Sequence, residues 1–175
     1  MIRACEPRDL PAITRIYAHA VLTGRSSFEI EPPDEAEMGA RRATLLTGGH
    51  PYLVAELDGA VAGYAYAGPY RARPAYRSTV ENSVYVRPER QGAGLGRALL
   101  RGLIEEAASR DFRQMVAVIG DGANLASVRL HEACGFTHVG VLRSVGWKHG
   151  LWLDTVLMQR PLGPGNGEPG PPRPA

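Results

Sequence analysis

The chain has 175 residues, 44% of them hydrophobic, enough for one well-packed domain and too few for two. A formal charge of +2, with arginines spread along the chain, gives no nucleic-acid footprint and leaves small acidic ligands as plausible partners. No run approaches the roughly 20 apolar residues of a membrane span, no signal-peptide pattern opens the chain, and Cys5 and Cys134 fit neither a metal site nor a disulfide framework, so the expectation is a cytoplasmic protein without a metal and without membrane or nucleic-acid partners.

In chain order, Asp9 as N-cap, Pro11 in the first turn, and Ile13, Ile16, Tyr17, Ala20 and Val21 at helical spacing predict a helix that ends at Gly24. A second helix is expected from Asp34 through Leu46, acidic at its start and arginine-bearing later, as the macrodipole prefers. "YLVAEL" (52–57) and "AVAGYAYAG" (60–68) flank Asp58-Gly59, a strong hairpin signal, and read as antiparallel strands. "TVENSVYV" (79–86) alternates, with Val80, Val84 and Val86 on one face and Glu81, Ser83 and Tyr85 on the other, and reads as a central strand. Leu95, Leu99, Leu100, Leu103, Ile104 and Ala107 form the apolar arc of a helix that turns Arg97, Arg101 and Glu105 outward. "MVAVI" (115–119) is a short buried strand, "NLASVRLHEACGF" (124–136) a helix with Asn124 as N-cap and Gly135 past its end, and "WLDTVLM" (152–158) a final strand. The Pro/Gly-rich remainder from Pro161 buries no core, so a domain of residues 1–160 should be followed by a disordered tail, 161–175. The fold class is α/β in the α+β sense.

"RPERQGAGLGRALL" (87–100) sets Gly92, Gly94 and Gly96 at every second position before a helix. Such glycines either make a tight turn or let a ligand's phosphates reach free amides at the helix's positive end. The spacing satisfies neither the dinucleotide fingerprint nor the P-loop pattern. Gln91-x-x-Gly94-x-Gly96, following a strand and opening an amphipathic helix, resembles the coenzyme A pyrophosphate loop of the general N-acetyltransferase (GNAT) superfamily. That resemblance implies backbone amides from Gly92 through Ala93, Gly94, Leu95 and Gly96 to Arg97 converging on a diphosphate, with Arg97 as a countercharge.

The segments "YLVAELDGAVAGYAYAGPYRARPAY", "TVENSVYV", "VAVIGDGANLASVRLHEACGF" and "GWKHGLWLDTVLMQ", with "IRACEPRDLPAITRIY" and "SSFEIEP" before them, are similar to successive blocks of phosphinothricin N-acetyltransferases. The resemblance implies a GNAT fold, a mixed and mostly antiparallel central sheet flanked by helices. It also implies acetyl-CoA as co-substrate and a small-molecule amine as acceptor, namely the α-amino group of a small amino acid or an analogue such as phosphinothricin or methionine sulfoximine. A homodimer is open on the same ground. The alternatives are another acceptor (a polyamine, an antibiotic or a protein N-terminus) and a coenzyme-binding regulatory module without turnover.

An ammonium must lose a proton before it attacks a thioester, so a proton acceptor is required. Glu81 on the central strand matches the family's general base; as a lone carboxylate it would otherwise be a solvated strand residue. His131 stands where the related enzymes carry histidine, as acid, second base or orienting group, or else as a packed helix residue. Val84, Tyr85 and Val86 should offer main-chain groups to the pantetheine amides and to the thioester oxyanion. Asn124 matches a coenzyme-contacting residue and is equally explained as an N-cap. Arg71, Arg73 and Tyr76 lie on a loop expected to line the acceptor pocket, with Phe28 as a further wall; solvated arginines and an exposed aromatic are the plain alternatives. His19, His50, His138 and His149 read as surface residues.

Overall fold

The computed structural model describes residues 1–169. Asp58 and Gly59 both take positive φ, 53° and 74°, as a two-residue hairpin turn demands, and they join β2 (Tyr52–Leu57) to β3 (Ala60–Pro69). Around this hairpin the other strands assemble: β1 (Ile2–Ala4), β4 (Thr79–Val86), β5 (Gln114–Gly120), β6 (Thr137–Lys148) and β7 (Leu151–Pro161). They form one sheet in the order β1-β2-β3-β4-β5-β7-β6, with β4–β5 its single parallel pair. This is the mixed, mostly antiparallel sheet expected.

Among the described residues four α-helices cover it. α1 (Leu10–Thr23) and α2 (Glu35–Thr47) lie on one face, where Ile13, Ile16 and Val21 pack with Tyr52, Val54 and Tyr64. α3 (Leu95–Ser109) lies on the other, burying Leu99, Leu100, Leu103, Ile104 and Ala107 against Val80, Met115 and Met158, while Arg97, Arg101 and Glu105 are exposed. α4 (Leu125–Glu132) adds Val128 to that second core. Among the described residues no helix is long and apolar enough to cross a membrane.

β4 pairs with β3 from Val80 to Val86, but with β5 only from Thr79 to Asn82. Past Asn82 and Ala117 the two parallel strands part, and β5 continues on β7 alone. A gap opens between them.

Several details depart from the sequence reading. Asp9 is not a side-chain cap of α1; its carboxylate takes two hydrogen bonds from the Arg3 guanidinium, at 2.7 and 2.8 Å, and one from the Glu6 amide at 2.8 Å. A buried charge finds more in a bidentate partner than in one helix amide. Asp34 does cap α2, accepting from the Glu37 amide at 2.8 Å. α4 stops at Glu132, short of the expected end at 136, where Gly135 at φ 83° reverses the chain and the Phe136 amide bonds the His131 carbonyl. β1 and β6 were not expected at all. β1 has three residues, and β6 carries two register shifts beside Gly140 and Gly146 that break any alternation. His50 is buried, not superficial, and stacks on Phe112 with ring centroids 5.1 Å apart.

The start of the segment expected to be disordered is structured. β7 extends to Pro161, Leu162 is 1% exposed in the core beneath α3, and its amide bonds the Arg113 carbonyl at 2.9 Å. One leucine carried inward by a long strand outweighs the composition of the residues after it. Residues 163–169 continue as turns, the Gly165 amide bonding the Leu162 carbonyl and the Gly167 amide the Pro164 carbonyl, each at 2.9 Å, and the remainder of the expected disordered segment, 170–175, lies outside the described residues. Leu162→Ala should therefore lower unfolding free energy by about 2–4 kcal/mol, read as a lower urea midpoint; an unchanged midpoint would place Leu162 outside the core.

Candidate active site

The gap between β4 and β5 is the floor of a cleft of about 570 Å³. Its walls are Asn82–Val86 of β4, Ala117–Gly120 of β5, the turn before α3, the start of α4, and Ile16, His19, Ala20 and Thr23 of α1. His19, read from sequence as mere surface, is thus exposed at the cleft wall.

The edge of β4 is open there for a geometric reason. The Arg87 amide bonds the Ala62 carbonyl of β3, so alternation along an antiparallel pair turns the main-chain groups of Tyr85 toward β3 and those of Val84 and Val86 toward the gap. Val84 and Val86 hence turn main-chain groups into the gap, where the Val86 carbonyl accepts from the Gln91 side-chain amide at 3.4 Å; Tyr85, expected to do the same, has its own engaged within the sheet and lines the cleft otherwise.

At the cleft's mouth, Gly92 and Gly94 take φ of 76° and 78°, a conformation that costs a side-chain-bearing residue free energy. A Cβ built on either would touch nothing within 4 Å, so the backbone requires glycine, not the packing of the protein. Gly94 caps α3, and among the described residues the amides from Gly92 to Arg97 have no backbone acceptor. They form a row of donors at the positive end of a 15-residue helix, an arrangement suited to a phosphate. Gln91, Gly92, Leu95 and Gly96 line the cleft. Ala93, Gly94 and Arg97 are exposed and outside its wall; with Leu95 and Leu99 turned to the sheet, helical geometry sends Arg97 away from it. Asn124 lines the cleft and caps α4, accepting from the Ser127 amide at 3.1 Å, so its two sequence readings are compatible.

Glu81 and His131 stand on opposite faces of β4. Glu81 shares the α1–α2 face with Tyr85, is half-buried, and has its carboxyl pushed above the usual carboxylate range by burial, with Arg71 pulling the other way. His131, 4% exposed at the cleft wall, has its imidazole pushed down by burial, opposed by the hydrogen bond to the Ser127 carbonyl. Its Nδ1 is 2.8 Å from that carbonyl and its Nε2 3.0 Å from Oδ1 of Asn82. Asn82 was missed in the sequence, although a polar residue among Val80, Val84 and Val86 on an otherwise apolar face was the available signal.

The α1–α2 face is lined by tyrosines: Tyr66 against Tyr52 and Tyr85 against Tyr64, both pairs with ring centroids 5.2 Å apart, and Tyr17 edge-on to Tyr85 at 5.1 Å. Beneath α2, Tyr17, Tyr52, Tyr64 and Tyr66 bound a second pocket of about 390 Å³ with Met38, Arg41 and Leu45. Tyr66 is within electrostatic reach of Glu81 and hydrogen-bonds Ser83. Arg71, Arg73 and Tyr76 are exposed on the β3–β4 loop, Arg71 lying over the Tyr70 ring at 5.0 Å. Phe28 packs on the backbones of Gly120 and Gly146, where a Cβ would come within 3.0 and 2.3 Å of its ring. The neighbouring Ser27 carbonyl accepts from the buried Lys148 ammonium at 2.8 Å. Among the described residues no cluster of three His, Cys, Asp or Glu side chains is placed to hold a metal ion.

Comparison with known proteins agrees with this geometry. The family model for the acetyltransferase (GNAT) family matches residues 13–136. The chain is 56% identical over 165 residues to a phosphinothricin N-acetyltransferase of Alcaligenes faecalis, covering 94% of this chain and 84% of that protein. It is 44% identical over 161 residues to an L-methionine sulfoximine/L-methionine sulfone acetyltransferase of Salmonella typhimurium, covering 92% and 94%. Among solved structures, a GNAT superfamily phosphinothricin acetyltransferase from Sinorhizobium meliloti in complex with AcCoA superposes with a TM-score of 0.95 at 47% identity, over 98% of this chain and 92% of that one.

The surroundings of Glu81 yield a direct test. Its carboxyl should titrate above the ordinary 4.5, and Arg71→Ala should raise the midpoint further by removing the one opposing charge, both followed by carbon NMR of the side chain. A midpoint at or below 4.5 in the unaltered protein would contradict the burial seen here.

Proposed function

Because the chain belongs to the acetyltransferase (GNAT) family, whose members use acetyl-CoA as co-substrate, we propose that it acetylates the α-amino group of a small amino acid or analogue such as phosphinothricin or methionine sulfoximine, with Glu81 as general base in a direct transfer. The observation that carries this reading is the parting of β4 and β5. It leaves the Val84 and Val86 main chain without a strand partner, the Val86 carbonyl meeting only the Gln91 side chain at 3.4 Å, as an extended amide-bearing ligand requires, and it does so one strand position beyond the half-buried carboxylate. The acceptors are those in the names of relatives 56% and 44% identical.

Acetyl-CoA supplies the activated acetyl group. The residues of the chain bind and orient it: unpaired amides at the start of α3 meet the diphosphate, and the β4 edge pairs with the pantetheine amides. The amine arrives from the tyrosine-lined face. Glu81 takes its proton there, and burial helps, since a carboxylate with a raised pKa is a stronger base. Nitrogen then attacks the carbonyl carbon, a main-chain amide of β4 holds the oxyanion, and the carbon–sulfur bond breaks to release the thiol. Arg71, within electrostatic reach of Glu81, and Arg73 on the same loop would hold the acceptor's carboxylate or its tetrahedral polar group. Glutamate, planar where the analogues are tetrahedral, should fit such donors less well.

The deciding experiment is a thiol-release assay with purified protein, acetyl-CoA and a panel of amines. Turnover is expected with phosphinothricin or methionine sulfoximine in preference to glutamate; turnover only with a polyamine or peptide would replace the acceptor, and none at all would favour a module without turnover. Glu81→Gln should lower kcat/KM by about 10²-fold or more near neutral pH, and Arg73→Ala should raise KM more than it lowers kcat.

A homodimer belongs to the same proposal. β6 is a sheet edge, and Val139, Val141, Val145, Trp147, Leu151 and Trp152 on the β6–β7 hairpin are 43–64% exposed, an apolar surface that a second copy would cover. Sedimentation should give twice the chain mass for the unaltered protein and less for Trp152→Glu; a monomer throughout would exclude it.

A further inference from the structure

Each ring nitrogen of His131 has an oxygen that can only accept as its nearest partner, the Ser127 hydroxyl being more distant from Nδ1 at 3.5 Å. Its Nδ1 lies 2.8 Å from the Ser127 carbonyl, so Nδ1 carries a hydrogen. Its Nε2 lies 3.0 Å from the side-chain amide of Asn82, whose orientation is fixed elsewhere. The Asn82 Nδ2 donates to the Val116 carbonyl of β5 at 3.1 Å, and turning the amide over would set two oxygens against each other. Oδ1, with lone pairs only, therefore faces Nε2. A ring carrying hydrogen on Nδ1 alone would oppose two lone pairs at that distance, whereas a ring carrying both satisfies every partner.

We infer that Asn82 is a positioning residue: with Ser127 it designates Nε2 as the nitrogen of His131 that exchanges its proton, and it favours the state in which that proton is held. The consequence for catalysis rests on the acetyl-transfer reading above. His131 then meets the departing thiolate as an acid, on the face of β4 opposite Glu81. As the carbon–sulfur bond breaks, its electron pair goes to sulfur and sulfur takes the Nε2 proton. The ring left behind is neutral and keeps its Nδ1–H bond to Ser127. The amine's protons leave through Glu81, solvent restores Nε2, and the net reaction releases one proton per ammonium acetylated.

The surroundings of the ring isolate this effect. α4 presents Ser127, β4 Asn82, and β5 the Val116 carbonyl, while the Phe136 ring meets the imidazole edge-on at 4.9 Å. Glu81 belongs to the other face of β4. Burial alone pushes the imidazole toward its neutral form, the Ser127 carbonyl opposes that push, and no charged side chain contributes. Asn82 supplies the second opposing contact, at the nitrogen that matters.

The test uses the full chain labelled with ¹⁵N at histidine and free of ligand, with ring nitrogens followed by long-range proton–nitrogen correlation across pH. In the unaltered protein Nδ1 should stay protonated throughout and Nε2 should titrate. Asn82→Leu should lower the Nε2 midpoint by about one pH unit, and the isosteric Asn82→Asp should raise it. The basic limb of the kcat profile should move in the same order. Coincident Nε2 midpoints in the unaltered protein and Asn82→Asp, or titration at Nδ1, would overturn the assignment. Failure of every amine to turn over, with the order of midpoints intact, would instead remove the acetyl-transfer reading and leave the role of Asn82 standing.

Discussion

Everything that makes a site in this molecule follows from hydrogen bonds that β4 and β5 do not make. Two parallel strands that pair for four residues and then separate leave main-chain groups exposed inside a sheet, and unpaired backbone in a protein interior is costly unless a ligand or water takes it up. The full pairing of β4 with β3, and of β5 with β7, fixes each strand independently, so the gap is held open from both sides. Asn82 marks the point of separation and stitches it, bonding a β5 carbonyl with one side-chain atom and His131 with the other. Strand geometry then distributes the chemistry: successive side chains alternate, so a carboxylate at 81 and an amide at 82 fall on opposite faces of the same strand.

The two faces differ in kind. On one, α3 packs leucines, isoleucine and alanine against the sheet in an ordinary apolar core. On the other, α1 meets a run of tyrosines whose hydroxyls are raised in pKa mainly by burial, with Tyr64 and Tyr85 well above the usual value. Among the described residues the buried Tyr64 hydroxyl has no hydrogen-bond partner. Burial among neutral aromatic rings raises the Glu81 carboxyl by more than the Arg71 charge lowers it, which is how a carboxylate is kept basic.

Where the sequence was legible, the reason was local. Asp58-Gly59, Asp34 and Gly94 announce their roles within four residues, and the alternation of 79–86 gave both faces of β4 correctly. What stayed hidden was set by long-range pairing. β6 breaks its own alternation at bulges that exist only because β7 lies beside it. Leu162 is buried because β7 runs far enough to deliver it, and Asp9 leaves its helix because Arg3 on β1 is brought within reach. The loop glycines were legible as glycines, yet which of them face the cleft depends on the rotation of α3, so Arg97 reads as a site residue in sequence and lies outside the wall in space.

The Ser26–Phe28 segment gives the cleft a rim of fixed gauge. Gly120 of β5 and Gly146 of β6 present bare backbone where that segment crosses them: a Cβ on the first would come 2.4 Å from the Ser26 carbonyl, and one on the second 2.3 Å from the Phe28 ring. Lys148, two residues further along β6, holds the Ser27 carbonyl from beneath. The rim therefore rides on the β6–β7 hairpin, whose outer face is apolar and exposed. The strand that carries this exposed apolar face therefore also carries the supports of the cleft's entrance, Gly146 under the Phe28 ring and Lys148 under the Ser27 carbonyl, so the surface of the hairpin and the width of the cleft share one piece of backbone.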